Sequence, residues 1–175
     1  TADFDYTENL CFSENAVSSA LEALQRGAHI VTDTNMALSG INKRSLHGLG
    51  CEAYCFMSDA DVAEEARVRG VTRAMVSMEK ACWLDGDLIF AVGNAPTALI
   101  RLYELIKAGE VKPALIIGAP VGFVNVVEAK ELIMTAGVPY IVPKGRKGGS
   151  NLAATLVNAV LCYNDAEQLR PGRDV

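Results

Sequence analysis

The densest chemistry in this sequence lies in one short stretch. From Lys144 to Asn151 the chain reads Lys-Gly-Arg-Lys-Gly-Gly-Ser-Asn, and an apolar run with helical spacing follows. Glycines let backbone N–H groups turn toward a ligand, and the start of a helix adds partial positive charge. Lys144, Arg146 and Lys147 add full charges to a chain whose formal net charge is −5. Gly148, Gly149 and Ser150 complete what reads as a cradle for phosphate or carboxylate. The spacing is not that of a P-loop, because no Gly-Lys-Ser/Thr follows four residues after the first glycine. The competing reading is a solvated basic turn with Ser150 as a helix cap.

Three further loops carry small or polar residues. Gly93-Asn94-Ala95-Pro96-Thr97 reads as a ligand loop or as a plain helix start, with Asn94 as cap and Pro96 in the first turn. Gly118 to Phe123 holds two glycines and a proline in six residues. That is a tight turn, or room for a flat ligand to reach the backbone at Gly122 and Phe123. Asp33 ends a strand and either caps the next helix or belongs to the site. Thr72 reads as a helix cap. Arg73 after it sets a cation against the helix dipole, which suggests an anionic partner.

These loops need a frame that brings them together. Short apolar runs alternate with amphipathic segments along the chain. Strands are expected at 28–32, 51–56, 87–92, 114–117 and 140–142. Helices are expected from a Ser13 cap to a Gly27 stop, over 35–38 and 43–46, and from Ser58 or Asp59 to Gly70. Others follow Thr72, run from Pro96 to Lys107, span 124–135, and cover 151 to about 162. Strands that are apolar throughout, each followed by a helix, predict a parallel sheet covered on both faces. The expected fold is a three-layer α/β domain over residues 1–164, with a mainly parallel five-stranded sheet. Residues 165–175 are expected to be a polar, frayed tail. In open sheets of this class ligands bind beyond the carboxyl ends of the strands. Asp33, Asn94, Gly122 and the cationic loop all fall at that edge.

Composition narrows the function classes. Half the residues are hydrophobic and 6% aromatic, so the core rests on Ala, Val, Leu and Ile. The negative balance argues against nucleic-acid binding. The longest apolar run, 114–127, is broken by Gly118, Pro120 and Gly122, so no membrane span is expected. The five cysteines form no Cys-x-x-Cys pair, and His29 and His47 do not fall at zinc-ligand spacing from them. Small buried thiols in a reducing cytoplasm are expected. There is no Gly-x-Ser-x-Gly elbow and no dinucleotide fingerprint. Neither histidine has an acid–base setting; His29 opens an apolar strand and His47 sits in a turn. From the residues alone the reading stops at an α/β domain that binds a polyanionic small molecule.

The same loops resemble those of precorrin-8X methylmutases. The motifs are Gly93-Asn94-Ala95-Pro96-Thr97-Ala98-Leu99, Gly118-x-Pro120-Val121-Gly122-Phe123 and Gly145-Arg146-Lys147-Gly148-Gly149-Ser150-Asn151. The opening Thr1-Ala2-Asp3-Phe4-Asp5-Tyr6 agrees, as do 37–43, Gly70-Val71-Thr72-Arg73 and Glu128-Ala129-Lys130. The details resemble most the cobalt-precorrin-8 type. The resemblance implies a flavodoxin-like fold and a cytoplasmic homodimer without a cofactor. It implies an isomerase of cobalamin biosynthesis that moves a methyl group between adjacent ring carbons of a corrin precursor. Any cobalt would belong to the substrate.

Arg73, Arg146, Lys147 and the 148–150 backbone would then grip the acetate and propionate arms of the corrinoid. Thr72, Asp33, Asn94, Ala95, Thr97, Gly122 and Phe123 would shape the pocket. The family's catalytic acid is a histidine two positions before the residue matching Thr1, so no catalytic residue is expected within this chain. The chain from Thr1 is expected to bind a corrinoid and turn over poorly. The rival readings are a non-catalytic binder of a polycarboxylate or phosphate ligand, a flavin or nucleotide module of the same fold, and a structural subunit.

Overall fold

The five expected strands are all present, and a sixth joins them. The computed structural model describes residues 1–164, so the expected tail at 165–175 lies outside the described residues. The strands are β1 (Leu10–Phe12), β2 (His29–Thr32), β3 (Glu52–Tyr54), β4 (Leu88–Val92), β5 (Leu115–Gly118) and β6 (Tyr140–Pro143). Their order in one sheet is β1-β6-β5-β4-β2-β3. β2 to β6 run parallel, while β1 pairs antiparallel with β6 through Leu10–Pro143, Cys11–Val142 and Phe12–Ile141. The expectation of five strands is therefore corrected to six. β1 has only three residues, which is too short to show a period of two. It exists because β6 offers a free edge.

The helices are α1 (Tyr6–Asn9), α2 (Ala16–Gln25), α3 (Asn35–Gly40), α4 (Lys43–Gly48), α5 (Ala60–Arg69), α6 (Arg73–Ala81), α7 (Pro96–Lys107), α8 (Val126–Met134) and α9 (Ser150–Asn164). His47 lies within α4, not in a turn, and is exposed. α2 begins at Ala16 after Asn15, so Ser13 does not cap it. Instead the Ser13 hydroxyl accepts the Tyr140 N–H, which fixes the end of β1 to β6.

Period two along the central strands sorts the side chains into two layers. Ile89 and Ala91 of β4 face Ala20 and Leu24 of α2 and Leu152 and Leu156 of α9. Leu88, Phe90 and Val92 of the same strand face Met78 of α6, Leu99 and Leu102 of α7 and Ile133 of α8. β4 is buried from end to end, which is why it reads as a continuous apolar run. Each such large apolar side chain removed from water contributes about 1.5–3 kcal/mol. No helix of the described residues is long and apolar enough to cross a membrane.

Charge ties the outer helices together. Glu79 of α6 accepts from Arg69 at 3.0 Å and from Arg101 of α7 at 2.7 Å. Arg69 and Arg101 hold its carboxyl below the usual carboxylate range, against the opposing effect of burial. A lowered carboxylate contributes stability that is present above its ordinary value of 4.5 and is lost as pH falls through the folded value. Glu79→Gln is therefore expected to cost about 1–3 kcal/mol at pH 7, the scale of a charged hydrogen bond. Urea titrations at stepwise lower pH should show the gap to the parent protein closing at the acid end; a gap independent of pH would contradict this.

Candidate functional site

The carboxyl ends of the parallel strands converge as expected, and backbone contacts stitch their loops into one unit. β2 ends at Thr32, and the next side chain, Asp33, is buried. Its Oδ1 accepts the N–H of Gly93 at 2.7 Å, and its Oδ2 accepts those of Asn94 at 2.8 Å and Ala95 at 2.6 Å. Burial pushes this carboxyl up, and the three N–H groups pull it back down. Asp33 thus caps α7 across the sheet, at the point where the strand order reverses between β2 and β4. The cap of the following helix, α3, is Thr34, whose Oγ1 accepts from the Ala37 N–H. Asn94 is not a helix cap: Ala95 holds the cap position, Pro96 opens the helix, and the Asn94 side chain is exposed.

The cationic loop is tied in from three sides. The Thr34 and Ser150 hydroxyls lie 2.7 Å apart. Ser150 is the first residue of α9, so it is an anchor to the turn after β2 and not the helix cap that the sequence suggests. The Gly149 N–H donates to the Ala119 carbonyl at 2.8 Å, and the Gly122 N–H donates to the Arg146 carbonyl at 3.3 Å. Close approach explains two glycines here. A Cβ on Gly93 would stand 2.6 Å from the Ser150 Cα, and one on Gly148 would stand 2.3 Å from the Ala119 carbonyl oxygen.

Lys130 is a residue that sequence reasoning left without a role. It lies on the buried stripe of α8 with Val126, Ala129 and Ile133, and its side chain is sealed from solvent. Its Nζ donates to the Gly145 carbonyl at 2.8 Å and to the Lys147 carbonyl at 2.7 Å. Burial lowers its pKa to about 8. The signal was available: a lysine at i+4 on an apolar stripe has to find acceptors indoors.

The candidate cations differ in what holds them. Lys147 reaches back to the start of the chain, 3.0 Å from Asp3 and 2.6 Å from Asp5. Those two carboxylates keep its ammonium charged well above the ordinary lysine range. Arg146 is exposed, with its guanidinium carbon 5.4 Å from the centre of the Phe123 ring. Phe123 itself is 83% exposed and lies beside the exposed Val121 and Val124, so the loop presents an apolar patch. Among the described residues no carboxylate pairs with Arg146 or Arg73.

Thr72 caps α6 by accepting the Met75 N–H, and its hydroxyl lies 3.0 Å from that of Thr97 on α7. That contact carries the α6 start to the loop edge. Arg73, one residue on, borders a groove of about 400 Å³ with Ala63 and Arg67 of α5. A larger groove of about 680 Å³ lies by the C-terminal half of α6, lined by Asp61, Glu79, Trp83 and Arg101. Its lining is net acidic: Asp61, Glu65, Glu79 and Glu110 outnumber Lys80 and Arg101, which pair with Asp61 and Glu79. The electrostatic demand for an anion is at the strand ends instead. His29 opens β2 at the opposite end from Asp33, with its ring edge against Tyr54, and stands far from these loops.

The arrangement can therefore grip carboxylates with Arg146 and turned-out N–H groups, beside an exposed aromatic ring that suits a flat ligand. Comparison with known proteins identifies the family. The family model for precorrin-8X methylmutase (CbiC) matches residues 1–163. A cobalt-precorrin-8 methylmutase of Leptospira interrogans is 44% identical over 169 residues, covering 92% of this chain and 77% of that protein. One from Priestia megaterium is 42% identical over 166 residues, with 95% and 74% covered. The crystal structure of a precorrin-8X methylmutase from Thermus thermophilus superposes with a TM-score of 0.86 at 41% identity, covering 97% of this chain and 83% of that one. A match along this length places the chain in the precorrin-8X methylmutase family.

Proposed function

We propose that this chain moves a methyl group between adjacent ring carbons of precorrin-8X or cobalt-precorrin-8, giving hydrogenobyrinate or cobyrinate. Cobalt, where present, belongs to the substrate. The observation that carries the reading is the convergence of the 33–34, 93–97, 118–123 and 144–150 loops at one sheet edge. A corrinoid at this stage presents several carboxylate arms around a flat ring. Arg146, Arg73 and the N–H groups of the 146–148 segment suit the arms. Phe123, Gly122 and the Thr72–Thr97 pair suit the ring face. Asn94 and Ala95, shaped by Asp33, border the same edge. The Gly148-Gly149-Ser150 backbone sets the loop against α9, and Lys147 takes part as a cation already balanced by Asp3 and Asp5.

Residues 1–164 act in this reading as one corrinoid-binding domain. Its five parallel strands, numbered among themselves, follow the order 2-1-3-4-5, which supports a flavodoxin-like assignment. A cytoplasmic homodimer completes the proposal. The five unpaired cysteines support a reducing compartment, and the exposed Val121 and Val124 support burial against a second copy.

Incubation of the full-length protein with the methylmutase substrate, followed by absorption spectroscopy, tests the function. Conversion of the spectrum to that of the corrin supports it; tight binding without conversion overturns it in favour of a binder. Arg146→Ala is expected to weaken corrinoid binding by about 1.5–3 kcal/mol, the scale of a charged hydrogen bond. Spectral titration reads this, and unchanged affinity would remove the cationic loop from the site.

A further inference from the structure

We propose that Lys130 is a positioning residue, whose buried side chain aims the backbone N–H groups of Arg146 and Gly148 at the substrate carboxylates. The proposal rests on the reading that the 144–150 loop binds those arms. In a trans peptide the C=O and N–H point in opposite directions. Lys130 draws the carbonyls of Gly145 and Lys147 inward, at 2.8 and 2.7 Å. The N–H groups sharing those two peptide planes belong to Arg146 and Gly148, so both turn outward. Among the described residues neither N–H meets an acceptor. Between them, the Arg146 carbonyl is held by the Gly122 N–H, which fixes the middle plane as well.

Stability alone does not account for this lysine. A buried ammonium is costly unless it is well satisfied, and an apolar side chain of similar length on this stripe would pack without that cost. Its neighbours on α8, Val126, Ala129 and Ile133, are all apolar and buried. No carboxylate among the described residues compensates it; its partners are two carbonyls of the binding loop. What the lysine gives that methionine cannot is the orientation of those peptides.

The test compares Lys130→Met and Arg146→Ala in the full-length protein, with cobyrinate as the titrant and substrate turnover as the second readout. Lys130→Met is expected to fold and to raise the cobyrinate Kd and the substrate KM about ten- to a hundredfold, as misplaced binding groups do. Its kcat should change by less than about threefold, since the reacting groups stay in place. Amide exchange should quicken at Gly122 and Gly149, whose N–H groups bond the loop in place, and stay slow in β4 and β5. A folded Lys130→Met with unchanged Kd and KM, beside an impaired Arg146→Ala, overturns the proposal alone. Unchanged binding in both variants overturns the loop reading and the proposal with it. A Lys130→Met that cannot fold also overturns it, because the lysine would then be a strut of the core.

Discussion

Asp33→Asn is expected to destabilise this protein by about 3 kcal/mol, more than a single surface change would, because it breaks a buried junction. Both carboxylate oxygens of Asp33 accept: one from Gly93, the other from Asn94 and Ala95. An asparagine carries one oxygen and one NH2 group. Whichever way its amide turns, a donor faces at least one N–H donor at 2.6–2.8 Å in a site sealed from water. The three N–H groups include those at the start of α7, where a negative charge is favoured and a neutral amide gives less. The loss has two parts, a charge-assisted bond weakened and a buried N–H left unpaired. Urea unfolding of Asp33→Asn and of Asp33→Ala measures it. A loss below about 1 kcal/mol, the worth of an ordinary exposed bond, would mean that the loop is held by other contacts. Because the same loop leads to Thr97, corrinoid affinity should fall together with stability.

Gly148→Ala is expected to give a large loss of binding at small cost to the fold. A Cβ there would lie 2.3 Å from the Ala119 oxygen and 2.6 Å from the Pro120 oxygen. Both are backbone atoms, so no flexible side chain can swing away. The 145–149 loop has to lift, and the 2.8 Å bond from Gly149 to Ala119 stretches with it. A shift of about 1 Å in a binding loop is enough to cost around a hundredfold in affinity. The sheet is not involved, so Tm should stay near that of the parent. Gly145→Ala is the control. Gly145 has a φ of +69° but nothing within 4 Å of its would-be Cβ. Its cost is conformational strain of about 1–2 kcal/mol, without the collision. If the two variants lose affinity equally, close packing of the 118–120 and 145–149 loops is not what shapes the site.

The parallel sheet was legible because its strands are buried on both faces. Leu88 to Val92 and Leu115 to Ile117 read as unbroken apolar runs, and nothing else in a short segment reads that way. The edge carrying the candidate site was chosen from strand direction alone. β1 escaped because an edge strand of three residues is defined by its partner, not by its own pattern. The roles within the site were harder to read. Asp33 read either as a cap of the next helix or as a member of the site, and its partners lie 60 to 62 residues away. Lys147 looked like a free cation, yet Asp5, 142 residues earlier, neutralises it. Local patterns place groups at an edge, but the pairing of those groups depends on the tertiary fold.

The antiparallel strand at the sheet edge also sets an order of events during synthesis. β1 is the first of the six strands to leave the ribosome, and its partner, β6, is the last. Until β6 forms, Leu10–Phe12 has no edge to join, and Asp3 and Asp5 have no Lys147 to hold. The segment must wait until residue 143 of the 164 described has been made, a long loop to close. The cationic loop follows β6 directly, so the candidate ligand-binding edge and the N-terminal segment become ordered together.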